Sequence, residues 1–150
     1  MINSQNFVFS KAAAARILGV PVWAIVGFQK WWRVCWVWVK GKRPTFISLK
    51  AFKEHFVNWR KEQARCRRQP LRGSLCVSRV KDNHYRVVNP KKNSVYSVWL
   101  FQDGLDCECE DYRNQVLILG KACCKHCYAT LQWLRFDSLT EYIEHHRWAS

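Results

Sequence analysis

Cys107-Glu108-Cys109-Glu110-Asp111-Tyr112 and, after a spacer, Gly120-Lys121-Ala122-Cys123-Cys124-Lys125-His126-Cys127-Tyr128-Ala129 hold five of the chain's eight cysteines within 21 residues. What such a cluster does depends on where the chain resides. Met1 to Lys11 lack a basic region followed by an apolar stretch and a small-residue cleavage site, so no secretory signal is expected. The longest stretch free of strongly polar residues, Val20 to Phe28, contains Pro21 and runs into Gln29 and Lys30, far short of the roughly 20 residues of a spanning helix. The expectation is an intracellular protein that is not secreted: cytoplasmic or nucleoid-associated in a prokaryote, nuclear in a eukaryote. Reducing compartments disfavour disulfides, and clustered thiols there bind metal more often than they cross-link. Cys35, Cys66 and Cys76 stand apart from the cluster and read as packing residues.

In this region the chain resembles the SWIM zinc-finger family, whose signature is Cys-x-Cys, a variable spacer, then Cys-x-His. The spacer here, Glu110 to Cys123, is 14 residues. The resemblance covers about residues 75 to 135, with strands before the first pair, Asp111 and Tyr112 after it, Gly120 before the second pair and a small-apolar helix over Cys127 to Leu134 behind it. It implies one structural zinc ion held by Cys107, Cys109, Cys124 and His126. Two thiolates come from a tight turn, and a thiolate with an imidazole from a helix start, which fills a tetrahedral site. Three thiolates, a neutral imidazole and Zn²⁺ sum to −1, so the site itself attracts no phosphate. Cys124-x-x-Cys127 is also zinc spacing, so an all-cysteine set stays open, although the flanking pattern favours His126.

Working back from the cluster, three short strands are expected at Leu75–Val80, His84–Asn89 and Ser94–Phe101, separated by turn formers at Asp82-Asn83 and Pro90 to Asn93. Beyond the cluster, Ser138 and Glu141 form a capping box for a last helix. The run Cys66 to Ser74 combines charge with Pro70 and Gly73, which places a boundary between a domain at 1–70 and the zinc-finger domain at 71–150.

Charge separates these halves. Residues 1–72 carry 15 Lys or Arg against Glu54 and Glu62, an excess of +13, whereas residues 73–150 carry 10 basic and 9 acidic residues. A surplus gathered in one half points to an anionic partner, because neutralising phosphates releases condensed counterions. Nucleic acid leads, DNA ahead of RNA. No membrane partner and no small-molecule substrate are expected.

In the basic half, Ser10 caps a helix from Lys11 to Leu18 that Gly19 ends in the left-handed region. A second short helix is expected over Val22 to Phe28, with Pro21 in its first turn. Lys30 to Lys40 reads as an aromatic strand that returns after Gly41–Pro44 as Thr45–Ile47. Trp31, Trp32, Trp36 and Trp38 fall on both faces by alternation. The favoured reading is a core strand covered on each side, and its rival is an open face that stacks unpaired bases. Ser48 caps a long helix with Leu49, Phe52, Phe56 and Trp59 inward. This order is similar to winged helix-turn-helix modules of the excisionase and MerR type over about residues 8 to 65. The fold class expected is therefore α+β: a winged-helix-like module with a hairpin, then a small antiparallel sheet with the zinc finger and C-terminal helices. The nucleic-acid contacts expected are Lys40, Lys42 and Arg43 at the hairpin tip and Lys50, Lys53, Lys61, Arg65, Arg67 and Arg68 along the long helix.

No nucleophile paired with a base, no paired carboxylates and no glycine-rich phosphate loop is recognisable, so no enzyme is expected. Two functions remain. One is a DNA-binding regulator or accessory factor. The other is an adaptor whose zinc domain docks onto a larger protein, such as a recombination or mobile-element complex.

Overall fold

The computed structural model describes residues 4–64 and 75–149, and the chain divides into two compact units, 1–59 and 60–150. The class is α+β, with one three-stranded and one four-stranded antiparallel sheet. The linker expected at 66–74 lies outside the described residues, as do Arg65, Arg67 and Arg68.

The first unit opens with α1 (Ser4–Val8) and α2 (Lys11–Leu18). Ser10 caps α2 by accepting from Ala13 N, and Gly19 ends it at φ 69°, as its sequence signals require. The second helix does not form. Val22–Ala24 make one 3₁₀ turn, and β1 (Ile25–Lys30) follows directly. A short apolar run can serve as helix or strand, and here the ladder to β2 (Val34–Val39) decides, because its backbone groups are satisfied by pairing. The helix-turn-helix expected at 10–28 is thereby replaced by a helix and a strand. β3 (Thr45–Ser48) completes the order β1-β2-β3, and Ser48 Oγ then accepts from Ala51 N to start α3 (Leu49–Ala64).

One face of this sheet is the core. Ile25, Cys35, Val37, Val39 and Ile47 lie against Ala13 to Ala15 of α2 and Phe52 of α3. The alanines let α2 approach closely, and Phe52 fills the space, its ring 5.6 Å from Phe9 and 6.1 Å from Phe28. Beyond this core the Arg16 guanidinium lies 4.0 Å over the Trp59 ring, and its Nε donates to His55 Nε2 at 3.0 Å.

The second unit begins with the last residues of α3 and continues as β4 (Cys76–Lys81), β5 (His84–Asn89), β6 (Ser94–Phe101) and β7 (Gly104–Cys107), a meander in that spatial order. The first three match expectation, and β7 is an addition, paired with β6 from Phe101↔Gly104 to Val98↔Cys107. Then come α4 (Glu110–Leu119), α5 (Lys125–Trp133) and α6 (Leu139–Ala149). Ser138 caps α6 as expected, Glu141 N donating to its Oγ, while the Glu141 carboxylate reaches back one residue further than in a capping box and accepts from Asp137 N. Tyr85, Val87, Val98, Leu105, Leu131 and Tyr142 are buried in this unit. Among the described residues, no helix is long and apolar enough to cross a membrane.

Candidate metal centre

The meander delivers the first pair of ligands. Cys107 ends β7, and two residues later Cys109 is the N-cap of α4, its Sγ accepting from Tyr112 N at 3.3 Å. The second pair comes from the next helix start, where Cys124 is the N-cap of α5 and His126 lies in its first turn. Helix N-termini suit this task, because unpaired N–H groups and the positive end of the dipole favour thiolates.

The candidate ligand atoms of Cys107, Cys109, Cys124 and His126 all lie within 4.8 Å of one another, and all four residues are buried. His126 Nδ1 is 3.8 Å from Cys107 Sγ and 3.7 Å from Cys124 Sγ. A tetrahedron with Zn–S near 2.3 Å and Zn–N near 2.05 Å has S–N edges of roughly 3.6 Å, so the cluster fits one such ion through Nδ1. Cys127 Sγ is 3.6 Å from Cys124 Sγ, but the mutually close set is completed by His126. The buried Cys3His cluster could hold one metal ion and suggests a zinc site.

Protonation agrees with a cation-seeking cluster. Contacts from Cys109, Cys124 and Cys127 hold the Cys107 thiol far below its ordinary range, while the contact with Cys107 pushes Cys109 far above it. Cys124 falls to about 6: its contact with Cys107 opposes the shift, and those with Cys109 and Cys127 outweigh it. Burial works against a charged His126, yet its contacts with Cys107 and Cys124 lift it to about 9. Without an ion His126 therefore keeps its proton at neutral pH, and zinc must displace it. Zinc affinity should rise with pH through the neutral range and fall on acidification, by roughly tenfold per pH unit for each proton released from His126 and Cys109. Competition with a chromogenic chelator at several pH values measures the slope, and a pH-independent affinity would contradict it.

A supporting network was not legible in the cysteine spacing. Gln115, 2% exposed, clamps the backbone beside Cys124: Cys123 N donates to its Oε1 at 3.0 Å, and its Nε2 donates to Cys123 O at 3.3 Å. The same Nε2 donates to Asp111 Oδ2 at 2.9 Å, and Asp111 receives a two-pronged ion pair from the buried Arg60. No local sequence signal marked it, since Arg60 and Asp111 are 51 residues apart. Groups that orient metal ligands matter to affinity about 10- to 100-fold, so Gln115→Leu should weaken zinc by that factor without removing a ligand. Titration against a chelator tests this, and unchanged affinity would show that the clamp is dispensable.

The basic candidates are less uniform. Lys40, Lys42 and Arg43 are exposed around the β2–β3 turn, and Lys50 and Lys53 are exposed on α3, Lys50 lying 3.8 Å from Glu54. Lys61 departs from the expected solvent stripe: it is half-buried, with its Nζ 5.8 Å above the Tyr128 ring and its carbonyl accepting from Gln132. The Trp residues also depart from the favoured reading. Trp36 and Trp38 share one face, opposite buried Cys35, Val37 and Val39, and Trp38 is 45% exposed, so that face is open. In comparisons with protein families, curated proteins and solved structures, nothing matched the chain.

Proposed function

We propose that this chain is a zinc-binding, non-enzymatic DNA-binding protein, a regulator or accessory factor whose basic N-terminal half contacts phosphates and whose second unit is a SWIM-type zinc finger. The observation that carries the reading is charge: no carboxylate occurs before Glu54, whereas nine Lys or Arg do. Even with Lys50 lying beside Glu54, the half keeps a large surplus of one sign, which a polyanion can neutralise with release of its counterions. The order of β7, Cys-x-Cys, helix and Cys-x-His at a helix start supports the SWIM assignment. Four protein ligands leave no open position for water, which supports a structural ion.

Fluorescence anisotropy with labelled DNA across a salt series tests the reading. Affinity should fall by about 0.9 log unit per log unit of salt for each phosphate contacted on duplex, or about 0.7 on a single strand. Lys40→Gln, Lys42→Gln and Arg43→Gln together should weaken binding and flatten the slope by up to about three contacts. No binding at low salt would remove the proposal.

A second reading, the protein adaptor, is favoured by a groove of about 840 Å³ in the second unit, lined by Leu105, Val116, Leu117, Leu139 and Ile143. Leu117 is 83% exposed there. Recovery of a stoichiometric protein after nuclease treatment, lost in Leu117→Glu, would favour it over DNA binding.

A further inference from the structure

The outer face of the first sheet is built from aromatic rings. Trp36 and Trp38 lie there with ring centroids 6.3 Å apart, and Phe46 is the register partner of Trp36 on β3. Trp31, in the β1–β2 turn, packs its ring 5.3 Å from Phe46. Trp31, Trp38 and Phe46 are each about half exposed, at 46%, 45% and 55%.

The rings are held in place. Trp31 Nε1 donates to Gln29 Oε1 at 3.2 Å, and Trp38 Nε1 donates to the Lys42 carbonyl at 3.0 Å. Gly27 stands opposite Trp38, and a Cβ added there would come within 2.7 Å of Trp36 Cζ3. The Trp36 ring thus lies on the bare backbone of β1, and the register shift between Ile25 and Gly27 brings that glycine to the outer face.

Cations flank this platform at both ends of the sheet: Arg33 at one turn and Lys40, Lys42 and Arg43 at the other, all exposed, whereas Lys30 is the partner of inner-face Cys35 and turns its Nζ over the Phe9 ring at 5.4 Å. No Asp or Glu occurs between residues 25 and 48. Oriented aromatic faces between two cationic rims match a single-stranded polynucleotide, whose unpaired bases stack on rings while its phosphates reach the cations. A duplex hides its base faces within the stack and cannot use them. A second copy of the chain would bring Arg33, Lys40, Lys42 and Arg43 against the same four residues with no carboxylate between residues 25 and 48 on either side, which opposes self-association through this face. A lipid surface would draw the indole N–H groups towards headgroups, whereas those of Trp31 and Trp38 are already engaged within the protein.

We infer that this aromatic face is a binding site for single-stranded DNA, with Trp31, Trp36, Trp38 and Phe46 stacking bases between Arg33 at one end and the Lys40/Lys42/Arg43 rim at the other. The inference rests on the DNA-binding reading above and gives it a surface and a substrate class.

The experiment uses the full chain loaded with zinc, and labelled oligo-dT against a duplex of equal length at one salt concentration. Oligo-dT should bind more tightly. Trp38→Ala and Trp31→Ala should each weaken oligo-dT by about 5- to 100-fold, the effect of losing one stacked base, with little change on duplex. Thermal melts establish that the variants fold. Ultraviolet cross-linking of oligo-dT to the unaltered protein, mapped by mass spectrometry, needs no variant at all and should label peptides spanning residues 31–46. Oligo-dT affinity that survives both substitutions, with cross-links elsewhere, overturns the inference and leaves DNA binding standing. Absence of binding to any DNA at low salt overturns both. Tenfold preference for oligo-rU, displacement of oligo-dT by phosphatidylglycerol vesicles, or dimerisation abolished by Trp38→Ala would each assign the face to another occupant and overturn the single-stranded DNA site.

Discussion

Replacing His126 by alanine, or withdrawing zinc with a strong chelator, is expected to unfold the second unit rather than merely loosen it. The four candidate ligands sit at the end of β7 and the starts of α4 and α5, so an ion held by them would join the meander to the two helix starts. Apparent zinc binding in finger peptides is about 10 to 16 kcal/mol, comparable with the whole stability of a small domain at about 5 to 15 kcal/mol. The metal-free cluster also leaves buried thiolates beside a protonated His126 in place of a divalent charge. Zinc content should fall from one equivalent to well below stoichiometric, with loss of helical circular dichroism and of near-ultraviolet tyrosine signal. Cys127→Ser is the contrasting variant. Its sulfur touches Cys124 but lies outside the mutually close set, so it should retain one equivalent of zinc and lose only packing. Retention of zinc by His126→Ala together with its loss in Cys127→Ser would establish an all-cysteine site and overturn the assignment.

Metal ligands of this kind are legible in a sequence because the chemistry restricts both residue type and spacing. Cys-x-Cys spans a strand end and a helix cap, and Cys-x-His spans a cap and a first turn, which are local geometries. Caps are legible for the same reason: Ser10, Gly19 and Ser48 act through bonds to residues at most four positions away. What holds the second pair in place was not legible. The Arg60–Asp111–Gln115–Cys123 chain spans 51 residues at its longest link, and a spacing of that length carries no local signal. Helix α4 was hidden as well, because the residue it buries is the polar Gln115 while Leu117 faces solvent, the reverse of an amphipathic pattern.

The strand at Ile25–Lys30 shows where apolar periodicity fails. Val22 to Phe28 is apolar throughout, so neither a 3.6-residue nor a 2-residue period can be read from it. Pairing with β2 settles the conformation, and that information resides outside the run itself, in partners from Cys35 to Val39. The consequence is functional. A helix at that point would have left β2 between two layers, whereas a strand widens the sheet and leaves its Trp36/Trp38 face uncovered.

The two faces of that sheet should respond oppositely to alanine substitution. Phe52 is fully buried beneath the inner face, touching Phe9 and Phe28, and its removal leaves a cavity among side chains that α2, β1 and α3 hold in place. Phe52→Ala should cost about 3 to 5 kcal/mol, enough to remove much of the stability of a small unit. Chemical denaturation followed by tryptophan fluorescence measures it, and a loss below about 1 kcal/mol would mean that the inner face is not the core. Trp38→Ala, on the outer face of the same strand that buries Val37 and Val39, should cost about 1 kcal/mol or less, since the ring is already half in water. A large apolar residue that contributes little to folding yet is oriented by its own hydrogen bond is under a different constraint from the core. If Trp38→Ala proved as destabilising as Phe52→Ala, the outer rings would be structural, and the case for a face kept open to a ligand would fall with them.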